Sequence, residues 1–205
     1  MDWQALGETF VTLAVIMDPV GLAPVFVAMT ARLSPAARKQ AAIRAVLAAG
    51  GLILGFALFG GLVLDYLNVS VHSLSIAGGL LLLLVALEML RGQDYPSEEE
   101  AEAGAGASAP DVALVPLATP LMAGPGAIAT VIVLSRQHDT FGGRASVIGG
   151  ILAALALIGL VMLVAERVSR AVPRSLVDFL TRVFGLLLSA IAVQLVVDGV
   201  RGTVG

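Results

Sequence analysis

The sequence contains no cysteine. That excludes a disulfide framework, a Cys-ligated zinc site and a thiol nucleophile. Charge is also scarce: Asp, Glu, Lys and Arg make up 13% of the 205 residues, about half of what a soluble domain carries. Aromatics are 5%, and there are 2 histidines. A net charge of -3 and an isoelectric point near 5.3 exclude the basic footprint of a nucleic-acid partner. The chain contains no GxxxxGK[ST] loop and no GxSxG elbow. Two isolated histidines among scattered acids lack the spacing of a metal site. The expectation is therefore no enzyme, no cofactor and no metal. No basic n-region precedes the first apolar stretch, so that stretch is read as part of the mature protein.

What is present is apolar. Hydrophobic residues are 58%, mean hydropathy is +0.97 and Gly occurs 23 times. A membrane helix needs about 20 mostly apolar residues. Six stretches qualify: Leu6 to Met29, Ala42 to Val63, Ser73 to Leu90, Val112 to Leu134, Val147 to Ala165 and Leu176 to Val197. They do not alternate as barrel strands do. The fold class expected is all-α integral membrane, with six transmembrane helices in one membrane domain. The segment DYPSEEEAEAGAGASA, starting at Asp94, is acidic and then small. It reads as a solvated linker over 93–111, between a first unit at 1–92 and a second at 112–205. The odd loops hold nine Lys and Arg, the other side three. That bias places the odd loops and the linker in the cytoplasm and both termini outside.

The two units resemble each other. DPVGLAP in span one and TPLMAGPG in span four share Pro, four residues, Pro: Pro19 with Pro24, and Pro120 with Pro125, at an offset of 101. GLLLLLVALEML from Gly79 matches GLLLSAIAVQLV from Gly185 at an offset of 106, which pairs Glu88 with Gln194. Three spans per unit force the second unit to enter the bilayer from the opposite side. That is the plan of two inverted-topology three-helix repeats found in many secondary transporters.

Proline lacks an N–H and clashes one turn back, so span one should break at Pro19, Gly21 and Pro24. Span four should break at Gly124, Pro125 and Gly126, at a matching depth. Such breaks survive in a bilayer where they are buried in protein or line a cavity. Free helix N-termini attract anions and free C-terminal carbonyls attract cations, so two broken helices suit a zwitterion. Asp18 lies beside the first break, and an intramembrane acid is read as a counter-ion or proton carrier. It is also a good N-cap, and the two roles are compatible. Its counterpart Thr119 is uncharged. Glu88, near Arg91, is either an interface anchor or a coupling residue. Gln194 is expected to hydrogen-bond between helices. His72 and His138 lie at loop edges.

These residues resemble a known family. DPVGLAPVF, AGGLLLLLVALEML and PLATPLMAGPGAI are similar to segments of the MarC family of bacterial and archaeal inner-membrane proteins. The resemblance covers nearly the whole chain. It implies a topology like that of the wider group of amino-acid exporters that includes LysE. It also implies transport of small neutral amino acids such as glycine and alanine. The substrate site it implies comprises Asp18, Pro19, Gly21 and Pro24 with Thr119, Pro120, Gly124, Pro125 and Gly126, and Asp18 and Glu88 are the coupling candidates. Leu22 stands where many relatives carry Asn, which leaves specificity open. The expected partners are a neutral amino acid, H⁺ or Na⁺, the lipid bilayer and, on Gly-rich faces, further copies of the chain. The alternatives are an exporter of another small solute on the same fold, or a structural or regulatory membrane protein.

Overall fold

A computed structural model describes residues 2–31, 33–92 and 122–204. Among them are seven helices and no strand: α1 (Trp3–Ile16), α2 (Pro19–Met29), α3 (Pro35–Tyr66), α4 (Val71–Arg91), α5 (Pro125–Gln137), α6 (Phe141–Ala171) and α7 (Arg174–Val204). Local chemistry sets their ends. Asp2 caps α1, accepting from the N–H groups of Gln4 and Ala5 at 3.1 Å. Ser34 caps α3 through Ala37 N–H at 3.3 Å, with Pro35 at the first helical position, where its missing N–H costs nothing. Ser70 caps α4 through Ser73 N–H at 3.0 Å, and Gly92 closes it with φ 70°, the left-handed conformation glycine adopts freely. Several helices outrun the apolar stretches that betray them in sequence. The polar residues at their ends, such as Arg38 and Lys39, continue the same hydrogen-bond ladder into the interface.

Four helices, α3, α4, α6 and α7, are each long and apolar enough to cross a bilayer. The α1–α2 pair passes the same test together, bent by 45° at its break. Only 22% of the most apolar stretch of α3, and of α7, is buried within the protein. The remaining apolar surface includes Leu47, Leu58, Phe59, Leu62, Leu84, Leu160 and Leu186, all more than half exposed. A water-soluble protein would not expose such belts, and lipid accommodates them at no cost. Of the fourth apolar stretch, α5 is the described part. Thr119, Pro120 and the acidic linker lie outside the described residues.

Helices of the first unit pack chiefly on helices of the second. The α4–α7 pair is the most extensive, α1 and α2 lie on α6, α3 lies on α5 and α6, and α5 also lies on α4. One buried cluster joins Leu22, Phe26, Met29, Ile53, Met122 and Ile151; another joins Val15, Leu82, Ala86, Leu188 and Ala192. The α4–α7 contact is reciprocal. A Cβ on Gly79 would stand 2.6 Å from the Ala192 carbonyl oxygen and 2.7 Å from Val196. A Cβ on Gly185 would stand 3.2 Å from the Ala86 carbonyl oxygen and 3.4 Å from Leu90. Each of these residues maps onto its counterpart by the offset of 106 read in the sequence.

Ion pairs gather at helix ends. Arg38 pairs with Glu166 at 2.7 Å and also donates to the Thr30 carbonyl at 3.3 Å. Arg136 pairs with Asp65 at 2.6 Å, Arg144 pairs with Asp139, and His138 stands between Asp2 and Glu8 at 3.8 and 3.6 Å. Gln194 corrects an expectation: its amide donates to both carboxylate oxygens of Asp198, at 2.9 and 3.0 Å, within α7 and not across to a neighbour. An acceptor one turn away on the same exposed face is reached at less entropic cost than one on another helix.

Candidate functional site

The interruption in span one falls at Met17 and Asp18. Met17 ends α1, its N–H bonded to the Leu13 carbonyl at 2.9 Å. Asp18 then takes φ 36° and ψ 76°, a left-handed conformation. That costs a residue with a Cβ roughly 1–2 kcal/mol, and Asp pays least because its short side chain bonds locally. Here Oδ1 accepts the Gly21 N–H at 3.1 Å, and the Asp18 carbonyl accepts the Leu22 N–H at 2.9 Å, which starts α2. Pro19 occupies the first helical position. Pro24, by contrast, lies inside α2 and does not break it. The one break expected over Pro19, Gly21 and Pro24 thus falls at its N-terminal edge: Pro24 removes one ladder bond, that to the Val20 carbonyl, and the packed helix tolerates the loss. Among the described residues Asp18 is the only buried ionisable side chain, at 9% exposure.

Gly21 lets a further element approach. A Cβ there would run into the Asp18 carboxylate and come within 3.2 Å of the Thr181 hydroxyl on α7. Thr181 is 4% exposed, and its Oγ1 makes no hydrogen bond of ordinary geometry among the described residues, the Asp18 carboxylate standing close enough to be a weak partner. Buried hydroxyls in apolar helices normally bond back to the carbonyl one turn earlier. Thr9 does so to Ala5 at 2.7 Å, Thr30 to Phe26 at 2.6 Å and Ser75 to Val71 at 3.0 Å. Thr130 and Thr181 both depart from that habit, and Thr181 faces Asp18. Sequence reasoning missed it, because one threonine in an apolar span carries no signal until the fold gives it a neighbour.

The second unit presents a different helix start. Gly124 is the N-cap of α5 and supplies no capping side chain; Pro125 is the first helical residue. The first-turn N–H groups of α5 therefore lack the carboxylate that α2 carries. Gly126 serves packing, since a Cβ there would meet the Leu82 side chain on α4. Leu22 is buried with Met17, Ala23 and Met122 in one cluster, so its side chain fills the core beside the break. Glu88 lies exposed on α4 and forms no ion pair with Arg91 among the described residues. The structure thus brings Asp18, Pro19 and Gly21 together with Thr181, while Glu88 remains apart from them.

A family model described as MarC family integral membrane protein matches residues 3–204. The chain belongs to this family. It is 39% identical over 202 residues to the UPF0056 membrane protein MJ1677 of Methanocaldococcus jannaschii, with 98% of each chain covered. It is 30% identical to the UPF0056 membrane protein YvbG of Bacillus subtilis, over 98% of this chain and 97% of the other. It is 32% identical to the UPF0056 membrane protein YhcE of Escherichia coli, over 98% and 94%. No solved structure matches. With this membership and its apolar helices, the chain is an integral, multi-pass membrane protein.

Proposed function

We propose that this MarC family chain is a secondary transporter of small neutral amino acids, of the glycine and alanine class. It works by alternating access in the bacterial inner membrane, coupled to H⁺ or Na⁺, with both termini outside. The observation that carries this reading is Asp18: a buried carboxylate in a left-handed break between two halves of one apolar span. Retaining a charge there costs about 2.5–3.5 kcal/mol even on the lenient insertion scale, so it is kept for work. The two helix starts supply unlike ends. The start of α2 brings its own carboxylate, which suits an ammonium, and the start of α5 offers bare N–H groups, which suit a carboxylate. The reciprocal contacts of Gly79 and Gly185 support a scaffold of six spans in two inverted repeats.

Purified protein in liposomes tests the proposal. Under an imposed proton or sodium gradient, labelled glycine or alanine should accumulate, and Asp18→Asn should abolish accumulation. Folded protein that moves neither substrate under either gradient refutes it. Leu22, buried beside the break, favours a second reading in which the cargo is another small solute on the same scaffold. Competition by a panel of unlabelled solutes in the same assay separates the two.

A further inference from the structure

We infer that Thr181 is the second ligand, with Asp18, of a binding site for a small monovalent cation, either a bare ion or a primary ammonium group. The inference rests on the transporter reading only for its purpose, since the geometry stands by itself. Asp18 Oδ1 is committed to the Gly21 N–H, while Oδ2 and the Thr181 hydroxyl oxygen converge over the Cα of Gly21. Glycine at position 21 permits this approach, because any Cβ there would collide with the carboxylate oxygen. Thr181 is more than nine-tenths buried, and its hydroxyl gives up the back-bond that Thr9, Thr30 and Ser75 all make. The weak contact with the Asp18 carboxylate leaves that hydroxyl poorly satisfied, as Thr130 on α5 also is, and a bound cation beside Asp18 would engage its oxygen. A carboxylate and a hydroxyl oxygen at one point form a ligand pair that both Na⁺ and an ammonium accept.

The two ligands come from different units. Asp18 belongs to the bent α1–α2 pair of the first unit, and Thr181 to α7 of the second. A cation held by both oxygens would tie α2 to α7, and its departure would release them. Coupling of cation binding to rearrangement requires no further element.

The test uses the full chain in lipid nanodiscs and reads the melting temperature. The probes are sodium chloride and methylammonium chloride, each against choline chloride at equal ionic strength. Wild type should be stabilised saturably by one of the two probes. Thr181→Val keeps the shape and removes the oxygen, so its half-saturating concentration should rise about tenfold or more, as for loss of a ligand to a charged group. Thr181→Ser, which restores the hydroxyl, should fall within about twofold of wild type. Asp18→Asn should lose the response. Stabilisation by sodium alone assigns the site to an ion, and stabilisation by methylammonium alone assigns it to the amino group of a substrate. Both uphold the inference. It is overturned if neither probe stabilises wild type beyond choline, or if Thr181→Val responds as wild type does. Glycine flux is read separately: flux with an unchanged Thr181→Val response removes this site and leaves transport. A Thr181-dependent shift without flux does the reverse.

Discussion

Replacing Gly79 by alanine probes the scaffold directly. The added Cβ would stand 2.6 Å from the Ala192 carbonyl oxygen, 2.7 Å from Val196 Cγ2 and 3.1 Å from the Val196 nitrogen. Two of these are backbone atoms and cannot rotate away. Ordinary contact needs roughly 3.4 Å or more, so α4 and α7 must part by about 0.8 Å along their closest line. Overpacking of this kind costs about 1–3 kcal/mol, and alanine's better helix propensity returns at most about 1 kcal/mol. The net loss is about 1–2 kcal/mol, which lowers Tm by roughly 2–8 °C in a domain of this size. Gly185→Ala should cost somewhat less, because its tightest contact, Met89 Cβ at 2.8 Å, is longer and the Ala86 carbonyl stands farther off at 3.2 Å.

The decisive measurement is the double variant. If α4 and α7 move apart as rigid rods, one added methyl opens the space that the other needs. Gly79→Ala with Gly185→Ala should then cost less than the sum of the singles, by about 0.5 kcal/mol or more. Gly51→Ala and Gly55→Ala on α3 are the controls, since an added Cβ there meets nothing within 4 Å. Both should leave the melting temperature unchanged or raise it. Calorimetry of the six proteins in nanodiscs decides the matter. An unchanged Tm for Gly79→Ala, or strict additivity in the double variant, refutes rigid reciprocal packing.

Asp18→Ala should lower stability by about 0.5–2 kcal/mol through loss of the α2 cap, while Asp18→Asn should keep most of it. Both should lose cation-dependent stabilisation, and thermal melts with and without sodium separate cap from charge. The natural absence of cysteine makes topology easy to read: Tyr66→Cys, at the exposed end of α3, should react with a membrane-impermeant maleimide on intact cells. Ala36→Cys, at the other end, should react only after lysis, and the opposite pattern overturns the orientation drawn from Lys and Arg. A double-mutant cycle on Arg38 and Glu166 should give a coupling below about 1 kcal/mol, because Glu166 is half exposed and its charge is screened. A larger value from chemical unfolding would make that pair a true gate.

Helix identity was legible because lipid demands long apolar stretches whatever their partners are. The α4–α7 contact was legible for a related reason. Gly79 and Gly185 are the points where two backbones touch, and only glycine permits that, so the constraint is written in residue type. The exact line of the break was not legible. Proline pairs mark both Pro19 and Pro24 as breakers, yet Pro24 sits within α2. A capped start at Asp18–Pro19 satisfies the exposed N–H groups, whereas a second break at Pro24 would strand more of them in an apolar core. The partner of Asp18 was not legible either, since Thr181 is distant in sequence and meets it only through the gap that Gly21 leaves.

That division carries a functional argument. The α4–α7 pair repeats itself under the offset of 106, so this contact is close to symmetric. The site is not. One helix start bears Asp18 and faces a hydroxyl, and the other, at Gly124, bears no capping side chain. A symmetric scaffold can exchange its two halves between equivalent conformations at little energetic difference, as alternating access requires. A symmetric site would offer a bound solute the same charge at both ends. On the transport proposal, unlike ends at the described helix starts would suit a solute whose two ends carry opposite charge.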